Sequence, residues 1–213
     1  MTVLSEIDGS GADELSSVER IRNAALNCFA RDGASATSLR TVAGAAGVSL
    51  GLVQHHFATK AGLIKAVDDH VMGTVLATVS RPIPDPPADS IVEIGNRVVR
   101  FIREQPVIVD YVGRALVDGS PLGNMIFDQL AELGMARWEQ RRDNGETRPD
   151  LDMTWAALNA LVLALGTLIL RGHIERHLPE RFDSPDQLRR WQTATDALLR
   201  EGQLRHTHDY DDE

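Results

Sequence analysis

Ser49 lies in Gly47-Val48-Ser49-Leu50-Gly51, which satisfies the G-x-S-x-G spacing of a hydrolase nucleophile elbow. That chemistry needs a strand before the serine, and the alanine-rich run Leu39 to Ala46 reads as helix. Ser49 is therefore expected as a helix cap. His173 and His177 share a helix face with Glu175 between them, but the offset is not that of H-E-x-x-H. Basic-capable residues at a helix C-terminus are accounted for by the helix dipole. His206-Thr207-His208 falls in an acidic tail and reads as solvated. Cys28, the single cysteine, forms neither an internal disulfide nor a zinc cluster, and fits a reducing compartment. With no paired carboxylates and no triad spacing, neither an enzyme nor a metal or cofactor protein is expected.

Nucleic-acid chemistry is better supplied. Net charge is −9, yet Ser16 to Lys65 holds Arg20, Arg22, Arg31, Arg40, Lys60 and Lys65 against Glu19 and Asp32. The segment is locally +4 while the remainder is −13. Field near a surface follows local charge, so this segment can face DNA despite an acidic whole. Within it, Ser38 to Phe57 has the layout of a helix-turn-helix. Small residues in the supporting helix allow close approach, Gly47 makes the turn, Val48 plugs the gap, and Ser49 caps the reading helix. Leu50, Gly51, Gln54 and His55 then point outward, toward a groove whose base edges are distinguishable, while Val53 and Phe57 anchor the helix.

Apolar residues recur with helical rather than strand periodicity throughout, which makes the chain all-α. At 43% apolar and 25% charged it is neither collagen-like nor wholly disordered. The first helix opens at the possible capping box Ser16-Ser17-Val18-Glu19 and ends at Gly33. Short helices follow from Thr37 or Ser38 and from Ser49, and a longer one from Thr59. Pro82, Pro84, Pro86 and Pro87 interrupt the chain. Helix resumes after Asp89 or Ser90, then over 106–118, 121–143, 151–177 and 185–201. Met153 to Leu170 lacks charge but spans only about 27 Å at the α-helical rise and carries Asn159 and two threonines. It reads as a bundle or dimer helix rather than a membrane span. Residues 1–15 carry four acids and no Lys or Arg, the composition of a disordered tail rather than a secretory or transit signal.

Residues Arg20 to Lys65 resemble the Tet-repressor (TetR) family. The likeness rests on Ala25, Phe29 and Gly33, on Thr37-Ser38-Leu39-Arg40-Thr41-Val42-Ala43, on Ala46-Gly47-Val48-Ser49 and on His56-Phe57-Ala58-Thr59-Lys60. Gln54 stands where tyrosine is common, Leu50 where lysine is frequent, and Gly62 near a frequent glutamate. The resemblance implies a three-helix DNA-binding domain over 16–62 and a larger helical ligand-binding and dimerisation domain over 63–205, with an acidic tail at 206–213. It also implies phosphate contacts from Ser38, Arg40, His56 and Lys60, and base contacts from Ser49, Gly51, Gln54 and His55. Gln54 can pair bidentately with adenine, and helix N-termini at Ser38 and Lys60 attract phosphate.

What remains must dimerise and sense. The interface is expected on the last two long helices, through Leu158, Val162, Leu165 and Ile169 of one and Leu188, Trp191 and Leu198 of the other. A site for an apolar or amphipathic effector is expected among Val98, Phe101, Ile102, Phe127 and Trp138, with Tyr111, Arg114 or Asn159 orienting it. The resemblance implies a cytoplasmic homodimeric repressor, released from an inverted-repeat operator in double-stranded DNA by a small molecule. A regulator with no small-molecule inducer, or an activator, stays open at this point.

Overall fold

The computed structural model describes residues 10–82 and 90–204, with side chains from residue 17 onward. Pro84, Pro86, Pro87, Asp89 and the expected tails over 1–9 and 206–213 lie outside the described residues. Among the described residues ten α-helices follow one another: α1 (Ser10–Asp32), α2 (Leu39–Ala46), α3 (Leu50–Phe57), α4 (Lys60–Val79), α5 (Ser90–Glu104), α6 (Pro106–Val117), α7 (Pro121–Asp143), α8 (Met153–Ile169), α9 (Arg171–Ile174) and α10 (Pro185–Gln203). A single 3₁₀ turn, Glu175–His177, follows α9. Among the described residues the only extended pairing is a bridge between Thr147 and Leu204.

Most helix starts follow from capping chemistry. Ser38, Ser49, Ser120, Asp152 and Ser184 each accept a backbone N–H of the first turn, and α6, α7 and α10 place proline there. Two boundaries depart from expectation. Helix α1 begins at Ser10, so residues 10–15 of the expected tail are helical; Ala12, Glu14 and Leu15 are good helix formers, and the helix reads through Ser16 and Ser17. The expected helix over 151–177 breaks at Leu170, and the segment beyond is turned by 68°. Arg171 there pairs with Asp110 of α6 at 2.7 Å. No single described helix is long and apolar enough to cross a bilayer, and α8 with its bent continuation reaches that length only as a broken pair.

The chain forms two compact units, Met1–Val71 and Met72–Glu213. The division falls inside α4, nine residues beyond the expected boundary at 62, because α4 runs unbroken through both. The first unit is built on Ile21, Ala25 and Phe29 of α1, Val42 of α2, Val53 of α3, and Leu63 and Val67 of α4, all nearly inaccessible. Each of these side chains larger than Ala25 contributes about 1.5–3 kcal/mol by leaving water. In the second unit α7 packs between α6 and α8, and α10 lies on α5. One cluster there joins Ile91, Trp138, Ala156, Ala157 and Leu199, and another joins Ile102, Val109, Phe182 and Leu188.

Candidate nucleic-acid interface and effector cavity

In the first unit, α2 and α3 meet through a turn that only a residue free of a Cβ penalty makes easily. Gly47 adopts φ 65° and ψ 37°, and its N–H and that of Val48 close onto the carbonyls of Gly44 and Ala43. Ser49 then accepts the N–H of Leu52 at 3.1 Å, so its hydroxyl caps α3 with a helix on its N-terminal side. Val53 is fully buried under α3 while Gly51, Gln54 and His55 are exposed. The helix thus turns Gly51 of its first turn and Gln54 and His55 of its second to solvent on the side away from Val53.

The other candidate residues are placed as follows. Ser38 is exposed and caps α2, accepting from the Thr41 N–H at 3.0 Å, and Arg40 is exposed at the second position of that helix. Lys60 is half-buried and donates to the carbonyl of Ser35 at 2.8 Å, which ties the start of α4 to the loop before α2. An ammonium has three donors, so two stay available to a phosphate. His56 is half-buried, its ring edge-on to His55 at 5.2 Å and to Phe57 at 6.3 Å. Cys28 is buried in α1. Among the described residues no group of three or more His, Cys, Asp or Glu is placed to hold a metal, and His173 meets Arg176 at 3.0 Å.

The joint between α3 and α4 contains a feature the sequence reading passed over. Ala58 adopts φ 54° and ψ −55°, and the Thr59 N–H reaches the Phe57 carbonyl at 2.5 Å. This is the strained three-residue turn with positive φ. Gly62 packs beneath it: a Cβ there would lie 2.3 Å from the Phe57 oxygen. Gly62, which stands near a frequent family glutamate, therefore has a steric reason in this chain. Gly62→Ala is expected to destabilise the first unit by about 1–3 kcal/mol through overpacking. Ala58→Gly, by contrast, is expected to stabilise it by relieving the strained turn. Urea melts of the two variants check both signs.

His70 of α4 has a depressed pKa, chiefly from burial and then from the charge of Arg22, with Glu19 opposing. Its folded-state value lies below the ordinary 6.5. The unfolded chain therefore binds the proton more readily, so stability is full above 6.5, declines as pH falls from 6.5 toward the lower folded-state value, and levels off below it. His70→Asn should flatten the fall of melting temperature between neutral and mildly acid pH.

In the second unit a cavity of about 220 Å³ opens between α4, α5, α6, α7, α8 and α10. Of the residues expected around an effector, Val98, Phe101, Ile102 and Trp138 line this cavity. Tyr111, Arg114, Phe127 and Asn159 do not. The walls of α6 and α7 are Val109, Val112 and Ile126, so Tyr111 and Phe127 are rotated off by one residue, about 100°. Arg114 and Asn159 are exposed. Asn159 is on the outer side of α8, whose inner side runs Ala157, Ala160, Leu161, Ala164, Leu165 and Leu168. The polar groups on the cavity come instead from Thr78, Ser90, Thr195, Asp196, Arg137 and Arg141. The two arginines lie at helical spacing from Ile126, Leu130, Leu133 and Trp138, a signal legible on the apolar face of α7.

The expected interface residues divide in the same way. Val162 is 59% exposed and Leu198 61%, and Ile169 is exposed too, whereas Leu188 is fully buried within its own unit. Leu165 and Trp191 line the cavity, and Trp191 donates to the Thr167 hydroxyl at 3.2 Å while meeting Phe182 edge-on. Leu158 is half-buried. Trp155 and Leu170, unremarked in the sequence, complete the exposed apolar surface of α8 and its end.

Residues 21–67 match the family model of bacterial regulatory proteins, tetR family. The chain is 35% identical over 159 residues to the HTH-type transcriptional repressor Rv3405c of Mycobacterium tuberculosis, covering 74% of this chain and 73% of that protein. It belongs to the TetR family. An HTH-type transcriptional regulator of Mycobacterium bovis, Mb3439c, matches to the same extent. Among solved structures, SmeT, the repressor of a Stenotrophomonas maltophilia multidrug efflux pump, aligns with a TM-score of 0.69 at 19% identity over 92% of this chain and 94% of its own. The ketosteroid regulator KstR2 of M. tuberculosis aligns at 0.67, with 20% identity over 89% and 95%. A complex of SmeT with triclosan aligns at 0.68, with 20% identity over 90% and 93%. This TetR-family chain is a DNA-binding transcriptional regulator, not an enzyme.

Proposed function

We propose that this TetR-family regulator is a cytoplasmic homodimeric repressor that binds an inverted-repeat operator and leaves it when a small apolar or amphipathic molecule fills the cavity of the second unit. The observation that carries the reading is the reading helix itself. Ser49 caps it, Val53 anchors it, and Gly51, Gln54 and His55 are all presented to solvent. Ser38, Arg40, His56 and Lys60 hold the flanking phosphates. Phosphate contacts position the domain, and base contacts carry the sequence information.

Two copies meet through Trp155, Val162 and Ile169 of α8 and Leu198 of α10, whose exposure on one chain is otherwise uncompensated. Dimerisation is required because one reading helix spans too few base pairs for an operator. Effector binding in the cavity favours a dimer geometry unsuited to the operator. A coupling of about 1–3 kcal/mol weakens DNA binding roughly 5- to 150-fold. The repressor-type relative and the ligand complex of SmeT support this assignment.

Selection from randomised duplex DNA by the purified chain tests it. An enriched inverted repeat, bound with a steep loss of affinity as salt rises, is the expected outcome. Binding without enrichment, or with little dependence on salt, would contradict it.

A further inference from the structure

Three guanidinium groups cluster where α5 and α7 come together, and they are not equally neutralised. Arg97 pairs with Glu93 at 2.7 Å and donates to the carbonyls of Arg81 and Pro82. Arg141 reaches Glu146 at 3.3 Å and the Ser90 hydroxyl, and lies 5.4 Å over the ring of Trp138. Arg137 donates to the backbone carbonyl of Val79, and among the described residues no carboxylate is within ion-pair distance of it. It nonetheless lines a cavity whose walls are mostly apolar, with Thr78, Ser90, Arg141, Thr195 and Asp196 as the other polar residues on it. Asp196 is the one acidic residue on that cavity among the described residues, and it is placed beside Gln192 against the backbone of α5 at Gly95.

The field at this end is positive. Thr78 and Phe101 also line a second cavity, whose charged residues are Arg81, Arg97 and Arg100 against Glu104. Burial first, and then the charge of Arg97, hold the Arg137 guanidinium below its usual range. A partly desolvated cation beside apolar walls is costly until an anion joins it.

We propose that the effector is a small amphipathic carboxylate. Its head group pairs with Arg137, and its apolar stem lies among Val98, Ile102, Leu165, Leu168 and Trp191. Planar guanidinium matches a carboxylate with two parallel N–H donors, which selects a carboxylate over a neutral hydroxyl. At about 220 Å³ the cavity is smaller than the roughly 300–1,000 Å³ of sites for drug-sized ligands, so the stem is a medium chain or a single ring. The inference rests on the proposal that this cavity is the effector site and specifies the chemistry it selects.

Calorimetric titration of the full chain with octanoate, octanol and octylamine tests it, beside R137Q and R137K. Octanoate should bind wild type about 10- to 100-fold more tightly than octanol, the worth of one charge-assisted pair, and octylamine least well. R137Q should lose that preference while binding octanol as wild type does, and R137K should keep part of it. Equal binding of octanoate and octanol to wild type, or a preference unchanged in R137Q, would overturn the assignment. In either case octanol binding would leave the cavity reading standing. If none of the three probes binds, the cavity reading fails along with the carboxylate.

Discussion

Val162→Glu is expected to leave each chain folded and to abolish the dimer. Val162 is 59% exposed on the isolated chain, so a glutamate there disturbs no packing within it. Across a two-fold interface the same change places two carboxylates against apolar surface contributed by Trp155, Ile169 and Leu198. Each desolvated, unpaired charge costs several kcal/mol, enough to weaken self-association by more than about 100-fold. Operator affinity should fall with it, because two half-sites are read only when two reading helices are held together. Sedimentation equilibrium reads the mass, and circular dichroism confirms the fold. A variant that remains dimeric and keeps full operator affinity would place the interface elsewhere, for instance on the exposed Val117, Met125 and Met135.

The second large effect belongs to the reading helix. Gln54→Ala and His55→Ala should each weaken binding to the selected operator by about 1–3 kcal/mol, roughly 5- to 150-fold, while leaving binding to unrelated duplex DNA nearly unchanged. Both side chains are exposed and neither serves the core, so melting temperature should be unaffected. Arg40→Ala should behave differently. On the proposed assignment of Arg40 to a phosphate, affinity should decline on every sequence and the slope against log salt should become shallower by about one. If the Gln54 variant instead lost affinity equally on all duplexes, Gln54 would be a backbone contact and base reading would lie with other residues.

The first unit was largely legible because its information is local. Caps at Ser38 and Ser49, the turn at Gly47 and the anchor Val53 are all set within a few residues of one another, and the structure places each accordingly. The Lys60 to Ser35 bond was not legible, since it joins positions 25 apart through side-chain reach. Gly62 was noticed only as a departure from the family pattern, because its steric role depends on the path of the Phe57 carbonyl.

The second unit was legible as helices but not as faces. A helix apolar all round, such as α8, does not say which stripe turns inward. Leu165 therefore passed for an interface residue and Asn159 for a cavity residue, and α8 turns them the other way. Leu188 and Trp191 are drawn inward by α5 and by Phe182, partners distant in sequence. Arg137 and Arg141 are charged, which does not mark them for a cavity, yet their spacing with Leu130, Leu133 and Trp138 puts them on the apolar face of α7.

In the proposed function two exposed reading helices, fixed in one dimer, recognise two half-sites together. Inserting base pairs between the halves of the selected operator tests it most directly. An insertion of half a helical turn, about five base pairs, rotates one half-site to the far side of the duplex, and about ten restores its face. Fluorescence anisotropy should show affinity collapsing toward the single-half-site level at the half-turn insertion. Affinity indifferent to the insertion would show that the half-sites are read independently and would contradict the account.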